Sequence, residues 1–302
     1  MSEEKRRSGW FWFLLGGGLF VAFIVVVGLL GYAAMKAVGG NASFGDKNIG
    51  VIDINGIIVS ADNTVDQLRK FDEDDSIKAI ILHINSPGGG AAASQEIYNE
   101  VLHIRNEKKK PIVASIESMG ASGAYYIASG ANKIYANDAS IVGSVGVIME
   151  WTNYGDLLKW AKLKPEVLKA GSLKDAGSPV REMTPEERAY FQSLLDNMHE
   201  QFIHDVAQGR GIPEATLKPL ATGQVWTGQQ ALPLHLIDKQ GGFRDALLDT
   251  ARQVGISGEP NVVKPPKKGR SLLDLITTDA DDLWSGPGKL LEKNAGFYFL
   301  WK

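Results

Sequence analysis

A strand, a glycine-rich turn and a helix follow one another twice in the first half of the chain. The apolar runs Ala79–Ile84 and Pro111–Ile116 predict buried strands of a mostly parallel sheet. Asn85–Gly90 and a helix over Ala91–Arg105 follow the first run, and Glu117–Gly123 with a small-residue helix follows the second. Right-handed crossovers place both turns at the same end of the sheet. The repeat therefore predicts an α/β fold in which the two turns converge.

Weaker patterns predict the remaining elements. Ile49–Val59 resembles two short strands around Asn55-Gly56, a hairpin signal, and Ser144–Met149 is typical of a strand. Thr184, followed by proline and two acids, predicts the start of a long helix that ends near Gly209. Its expected buried face comprises Phe191, Leu194, Leu195, Met198, Phe202 and Val206. A further helix is predicted over Ser271–Thr278.

Ser122 is the candidate nucleophile. It lies between the end of a strand and the first turn of a helix, where free main-chain N–H groups can hold an oxyanion. The glycines at 88–90 can direct further N–H groups toward it from the neighbouring turn. The same small residues also suit a helix that packs tightly on a sheet. A phosphate site is disfavoured because neither glycine-rich phosphate-binding pattern is present.

A nucleophilic serine needs a base. Of the five histidines, His103, His199 and His204 lie on predicted helices and His83 lies in a predicted strand. None of the five, His235 included, occupies a glycine-rich loop. Lys174 lies in a glycine- and serine-containing loop between apolar elements. A lysine acts as a base near neutral pH only if desolvation or a nearby cation lowers its pKa. Taken alone, Lys174 is also typical of a solvated loop lysine.

The N-terminus has the pattern of a membrane anchor. Lys5-Arg6-Arg7 precedes an uncharged run, Ser8–Met35, which is long enough to cross a bilayer and has tryptophans near its start. The basic flank predicts a cytoplasmic N-terminus and an extracytoplasmic remainder. A cleaved signal peptide is the alternative, although Ala33-Ala34-Met35 is a poor cleavage site.

Composition excludes several classes of function. The sequence has no cysteine, which removes thiol nucleophiles, thiolate metal sites and disulfides together. Its net charge is −3 and it has no long basic stripe, which argues against a nucleic-acid partner. No cofactor or metal site is predicted.

Several motifs in the same order resemble the short form of the signal peptide peptidase A family. They are Asn85–Gly90, Ser118–Tyr126, Lys174–Pro179, Arg181–Met183 and Gly223–Gly228, preceded by the anchor pattern. The resemblance covers roughly residues 48–255. It implies a fold similar to Clp protease and crotonase, with an N-terminal transmembrane helix. The histidine of Clp protease would fall near Ser144-Val145, where this chain has none.

The resemblance also implies roles for individual residues. Ser122 corresponds to the nucleophile and Lys174 to its general base, while the N–H groups of Gly89 and Gly123 form the oxyanion hole. The implied enzyme is a membrane serine endopeptidase that degrades remnant signal peptides and other apolar peptides. It is a ring-like homo-oligomer whose neighbouring subunits can share a dyad.

The same family implies a location and a domain plan. The expected site is the bacterial inner membrane, spanned once by residues 9–35, with the catalytic domain in the periplasm. The domains are predicted as an anchor and linker (1–47), a peptidase domain (48–260) and a C-terminal tail (261–302). Two alternatives remain, namely an inactive or scaffolding homologue and a crotonase-like acyl-CoA enzyme.

Overall fold

The computed structural model describes residues 22–30, 48–265 and 297–301. The chain divides into two units, Met1–Gly45 and Asp46–Lys302. In the first unit, residues 22–30 are helical (α1) and their side chains are exposed. None of the helices in these described ranges is both long and apolar enough to span a bilayer. The helix predicted over Ser271–Thr278 and most of the predicted anchor lie outside the described residues.

The second unit alternates strands and helices along most of its length. The strands are β1 Asn48–Asn55, β2 Ile77–Ser86, β3 Gly88–Gly90, β4 Ile112–Ala121, β5 Lys133–Ala136, β6 Ile141–Gly143, β7 Ile148–Met149, β8 Val225–Thr227, β9 Lys239–Gln240, β10 Asn261–Val263 and β11 Phe297–Leu300. The helices are α2 Asp62–Glu73, α3 Ala91–His103, α4 Gly123–Ser129, α5 Gly155–Trp160, α6 Pro185–Arg210, α7 Glu214–Leu217, α8 Gly228–Ala231 and α9 Phe243–Gln253.

The main sheet has the order β10-β1-β2-β4-β5-β9, and all neighbours along this path are parallel. The predicted strands at 79–84 and 111–116 are β2 and β4, side by side near its centre. Because parallel strands end at the same edge, the glycine-rich turn after β2 and the serine turn after β4 are neighbours. The predicted α/β class and the convergence of the two turns are confirmed.

Side chains on the two faces of the sheet pack against different helices. On one face, Ile80 and Leu82 join a cluster with residues of α2, α3, α4 and α6. On the other face, Ile81 and Val113 pack against Leu247 and its neighbours on α9. This alternation follows from the two-residue period of a strand. A continuous apolar run is therefore required in β2 and β4.

Three sequence-based expectations need correction. The hairpin expected around Asn55-Gly56 is instead a single strand, β1, which pairs with β10 on one side and with β2 on the other. Its apolar side chains are buried on both faces of the sheet, which favours a strand in the sheet over a hairpin. The strand expected over Ser144–Met149 comprises only Ile148–Met149. On α6, the amino-terminal half of the expected buried face is only partly buried, and the buried apolar residues are Phe202, Ile203, Val206 and Ala207.

A second, smaller sheet has the order β3-β11-β7 and is antiparallel throughout. The glycine-rich turn forms one of its edge strands, β3, and the C-terminal strand β11 lies in its middle. The predicted boundary at residue 260 stays a prediction, although β10 and β11 on its far side both pair with strands of this unit.

Candidate active site

Ser122 is the single residue between β4 and α4, and its main-chain conformation is unusual. Its φ is 54° and its ψ is −119°, and a non-glycine residue held there costs about 1–3 kcal/mol. Two hydrogen bonds hold it in place: its N–H donates to the Gly143 carbonyl at 2.7 Å, and its carbonyl accepts from Tyr126 N at 2.8 Å. The residue is 1% exposed. Strain of this kind is characteristic of active-site turns.

The glycine-rich turn is fixed by the backbone of Ile58. Ile58 N donates to the Gly88 carbonyl at 2.9 Å, and Gly90 N donates to the Ile58 carbonyl at 2.8 Å. A methyl group at Gly89 would lie 2.0 Å from the Ile58 oxygen, so no larger residue fits. Gly88 has a φ of 97°, which favours glycine for a second reason.

The main-chain nitrogens of Gly89 and Gly123 are brought together at this point. A methyl group at Gly123 would lie 3.2 Å from Gly89 N, and one at Gly88 would lie 2.7 Å from Gly123 N. The carbonyl oxygen of Phe299 lies beside both glycines. It would be 3.1 Å from a methyl group at Gly123 and 2.1 Å from one at Gly88. The main-chain nitrogens of Gly89 and Gly123, the two predicted oxyanion donors, therefore lie close to each other, with the Phe299 carbonyl oxygen nearby.

Lys174 makes no hydrogen bond or ion pair with this cluster in the described part of the chain. It lies exposed on a turn over residues 171–177. Its side chain forms no hydrogen bond or ion pair with any residue of the described ranges. Likewise, no described residue is hydrogen-bonded to the Ser122 hydroxyl. The structure thus brings Gly89 and Gly123 together next to Ser122, and in the described residues Lys174 has no hydrogen bond or ion pair with any of the three.

A network of charges fixes the turn that carries Lys174. Arg181 donates to Asp175 at 3.2 Å and to Glu187 at 2.9 Å, and Lys169 also pairs with Asp175. Glu187 accepts from Thr184 N at 2.9 Å, and Thr184 Oγ1 accepts from Glu187 N, so the carboxylate also caps α6. The Arg181 hydrogen bonds hold the pKa of Glu187 low, at about 2. The turn is consequently tied to the start of a long helix.

Four of the five histidines have partners other than Ser122. His83 contacts Asp53 at 3.2 Å, His103 contacts Glu107 at 3.2 Å, and His204 contacts Glu214 at 2.7 Å. His199 Nε2 lies 3.3 Å from the Val145 carbonyl. Among the described contacts, none joins a histidine to Ser122.

One cleft of the protein has a volume of about 490 Å³. Its lining includes Ser144, His199, Leu300 and Trp301. Ser144 directly follows Gly143, whose carbonyl accepts a hydrogen bond from Ser122 N. Sequence reasoning missed the strand β11 that reaches this cleft. The only signal for it was the apolar run over Phe297–Trp301 at the end of the chain.

A parallel sheet with a strained serine at the end of one central strand and a glycine-rich turn at the end of the next is the arrangement of a Clp protease-like α/β protein. The Clp protease family model matches residues 53–141. The model of peptidase family S49 matches residues 104–257, which is half of the chain. The chain belongs to peptidase family S49.

Named relatives agree with this assignment. A Synechocystis protein provisionally named a protease is 38% identical over 225 residues, 73% of this chain and 80% of its own length. An Enterococcus faecium protein provisionally named signal peptide peptidase SppA is 34% identical, over 67% of this chain and 62% of its own length. Serine protease SPPA of Arabidopsis thaliana is 29% identical, over 79% of this chain but only 34% of its own.

Proposed function

We propose that the protein is a serine endopeptidase in which Ser122 is the nucleophile and Lys174 the general base. The observation that carries the proposal is the close approach of Gly89 N to Gly123, the residue that follows the strained Ser122. Such donors stabilise the negative charge that develops on a carbonyl oxygen under attack. The name of the Arabidopsis relative supports serine catalysis.

The chemistry is acyl transfer. Ser122 Oγ attacks the peptide carbonyl carbon while its proton passes to the neutral Nζ of Lys174. The C–N bond then breaks, the departing amine takes the proton from Lys174, and an ester to Ser122 remains. Water attacks that ester by the same route, releasing a carboxylic acid and restoring the serine. The N–H groups of Gly89 and Gly123 hold the oxyanion in both halves.

We propose further that Lys174 serves the Ser122 of a neighbouring copy in a ring-like homo-oligomer. Lys174 is exposed, and the segment before it carries exposed apolar side chains, including Trp160 (82%) and Leu168 (fully exposed). A second copy that covered these residues would desolvate the amine and lower its pKa, which a lysine base requires. Neither side chain, Ser122 or Lys174, has a hydrogen-bond partner among the described residues, and a shared dyad would explain both observations.

Mixing two inactive variants tests the shared dyad. Ser122→Ala and Lys174→Ala are each inactive, but in oligomers formed from both, one neighbour supplies serine and the other lysine. Random one-to-one mixing in a cyclic assembly would restore roughly a quarter of the wild-type activity. If refolded mixtures are as inactive as either parent while the oligomers form normally, the dyad is not shared.

The anchor is proposed as a single membrane span over residues 9–35, with the N-terminus in the cytoplasm and the catalytic domain outside the bacterial inner membrane. The uncharged run and its basic flank support it, as do the exposed apolar side chains of the helical residues 22–30. Mass spectrometry of the mature protein tests it. A mature N-terminus near residues 35–45 would show a cleaved signal peptide instead.

The proposed substrates are remnant signal peptides and other apolar peptides. Support comes from the name of the Enterococcus relative and from the apolar strand that lies against the glycine-rich turn. Hydrolysis of a leucine-rich signal peptide, compared with a charged peptide of equal length, tests this preference. Equal rates for the two peptides would contradict it.

A further inference from the structure

Ser94 is a polar residue at a core position between the two turns of the candidate site. It lies in the first turn of α3, on the buried face that Ile97, Tyr98 and Val101 continue, and it is fully buried. Its hydroxyl donates to the Gly90 carbonyl at 2.9 Å, so the group is satisfied. Alanine is a better helix former and would bury no polar group at this position. Helix formation alone therefore does not explain the serine.

The Ser94 hydroxyl also stands against the residue that follows the nucleophile. A methyl group on Gly123 would lie 2.4 Å from Ser94 Oγ. The next nearest atoms, Phe299 O and Gly89 N, would be 3.1 and 3.2 Å from it. Gly123 begins α4 and is not among the residues with a positive φ, so its conformation suits any residue. The contact with Ser94 is thus the tightest constraint that keeps a side chain out of this position.

The same hydroxyl acts on both predicted oxyanion donors. Gly90, whose carbonyl it holds, directly follows Gly89, and the hydroxyl oxygen limits how closely the α-carbon of Gly123 approaches α3. The two donors come from turns at the ends of different strands, β2 and β4. Because such donors stabilise an oxyanion only at hydrogen-bond distance from it, the spacing between them matters. An atom packed between the two turns can set that spacing.

We propose that Ser94 is a positioning residue for the oxyanion hole, whose hydroxyl sets the distance between the N–H groups of Gly89 and Gly123. The inference rests on the proposed peptidase function and adds to it a residue that touches no substrate, since Ser94 is fully buried. Without the hydroxyl, Gly90 loses a hydrogen bond and Gly123 loses its spacer. The two donors then no longer fit one oxygen atom.

Ser94→Ala tests the role in catalysis. We expect kcat for an apolar peptide to fall by about tenfold or more, with KM changed by less than about twofold, because the donors act on charge that develops in the transition state. Ser129→Ala is the matched control, since Ser129 is an equally buried helical serine whose hydroxyl donates to the Tyr126 carbonyl at 2.7 Å. It should lower the melting temperature by a similar amount and leave kcat unchanged.

A peptide aldehyde separates a displaced donor from a general structural effect. Ser122 Oγ adds to the aldehyde carbon, its proton passes to the base, and the former carbonyl oxygen carries the charge that the donors hold. Ser94→Ala should weaken aldehyde binding by about tenfold or more. In the Ser122→Ala background, which forms no adduct, Ser94→Ala should change the affinity for the parent peptide by less than about twofold. Equal losses in the two measurements would overturn the proposal.

A double-mutant cycle tests the contact itself. Gly123→Ala should lower kcat/KM by about 10² or more, because its methyl group meets Ser94 Oγ. In the Ser94→Ala background that atom is gone, so the same substitution should cost at least about tenfold less. If Gly123→Ala costs the same in both backgrounds, Ser94 does not constrain Gly123, and the inference is wrong even with an intact peptidase.

Failure of this inference differs from failure of the peptidase function. Wild-type kcat in Ser94→Ala, alongside an inactive Ser122→Ala, would remove the positioning role and leave the proposed function standing. A fully active Ser122→Ala would refute the peptidase mechanism, and the inference would fall with it.

A second variant covers the case in which Ser94→Ala does not fold. Ser94→Cys places a larger sulfur atom against Gly123, and this crowding should lower kcat by about tenfold. Wild-type kcat in a folded Ser94→Cys protein would contradict the proposal.

Discussion

Gly89 lies so close to Ile58 that a methyl group on its α-carbon would be 2.0 Å from the Ile58 carbonyl oxygen. This contact fixes the glycine-rich turn on one side, while the N–H of Gly89 faces β11 on the other. The position of a proposed oxyanion donor is thus set by a backbone contact that only glycine permits.

Gly89→Ala should displace that N–H and lower kcat/KM for an apolar peptide by about 10²–10³, the usual effect of losing one such donor. Gly90→Ala is the matched control, because a methyl group there meets nothing closer than 3.6 Å. Its loss should be at least about tenfold smaller. Equal losses in the two variants would show that Gly89 has no special role.

Leu168→Asp should disrupt the proposed assembly. Leu168 is fully exposed on the apolar segment before Lys174, and a charge there would be buried unpaired if a second copy covers it. We expect a smaller particle in sedimentation experiments on the detergent-solubilised chain, together with loss of peptide hydrolysis. Glu166→Gln, in the same exposed segment, should change neither. An intact, active oligomer of Leu168→Asp would exclude this segment from the interface.

Glu187→Gln should reveal the ion pair that holds the turn of Lys174. Hydrogen bonds from Arg181, together with one from Thr184 N, hold the pKa of Glu187 at about 2, below its ordinary value of 4.5. A depressed pKa contributes stability that is present above the unfolded-state value and is lost as the pH falls toward the folded-state value.

The melting temperature of the wild type should therefore exceed that of Glu187→Gln by about 2–4 °C at pH 7. The difference should shrink as the pH falls from about 4.5 to about 2. Circular dichroism melts across this range measure it. Glu186→Gln, an exposed acid in the same first turn, is the control. A difference that does not vary with pH would contradict an ionic role.

The elements found from sequence are those with strong local signals. The buried strands β2 and β4 have continuous apolar runs, and α6 begins at Pro185 directly after its Thr184 cap, as the local residues predict. Ser122, Gly89 and Gly123 were placed near one another by topology alone, because parallel strands end at one edge. Their catalytic roles were carried by the resemblance and stay a prediction.

The features missed depend on contacts distant in sequence. The signal for a hairpin at Asn55-Gly56 was overridden by the pairing of β1 with β10 and β2. The half-exposed start of α6 carries an apolar pattern that no part of the described chain covers fully. β11 pairs with a turn some two hundred residues earlier, which no local pattern encodes.

The most direct test of the account is the rate of apolar peptide hydrolysis by Ser122→Ala, compared with that of Ser118→Ala on the exposed part of the same strand. Loss of the nucleophile should lower kcat by about 10⁴ or more, while Ser118→Ala should retain wild-type activity. Wild-type activity in a folded Ser122→Ala protein would contradict the central claim that this serine carries out the reaction.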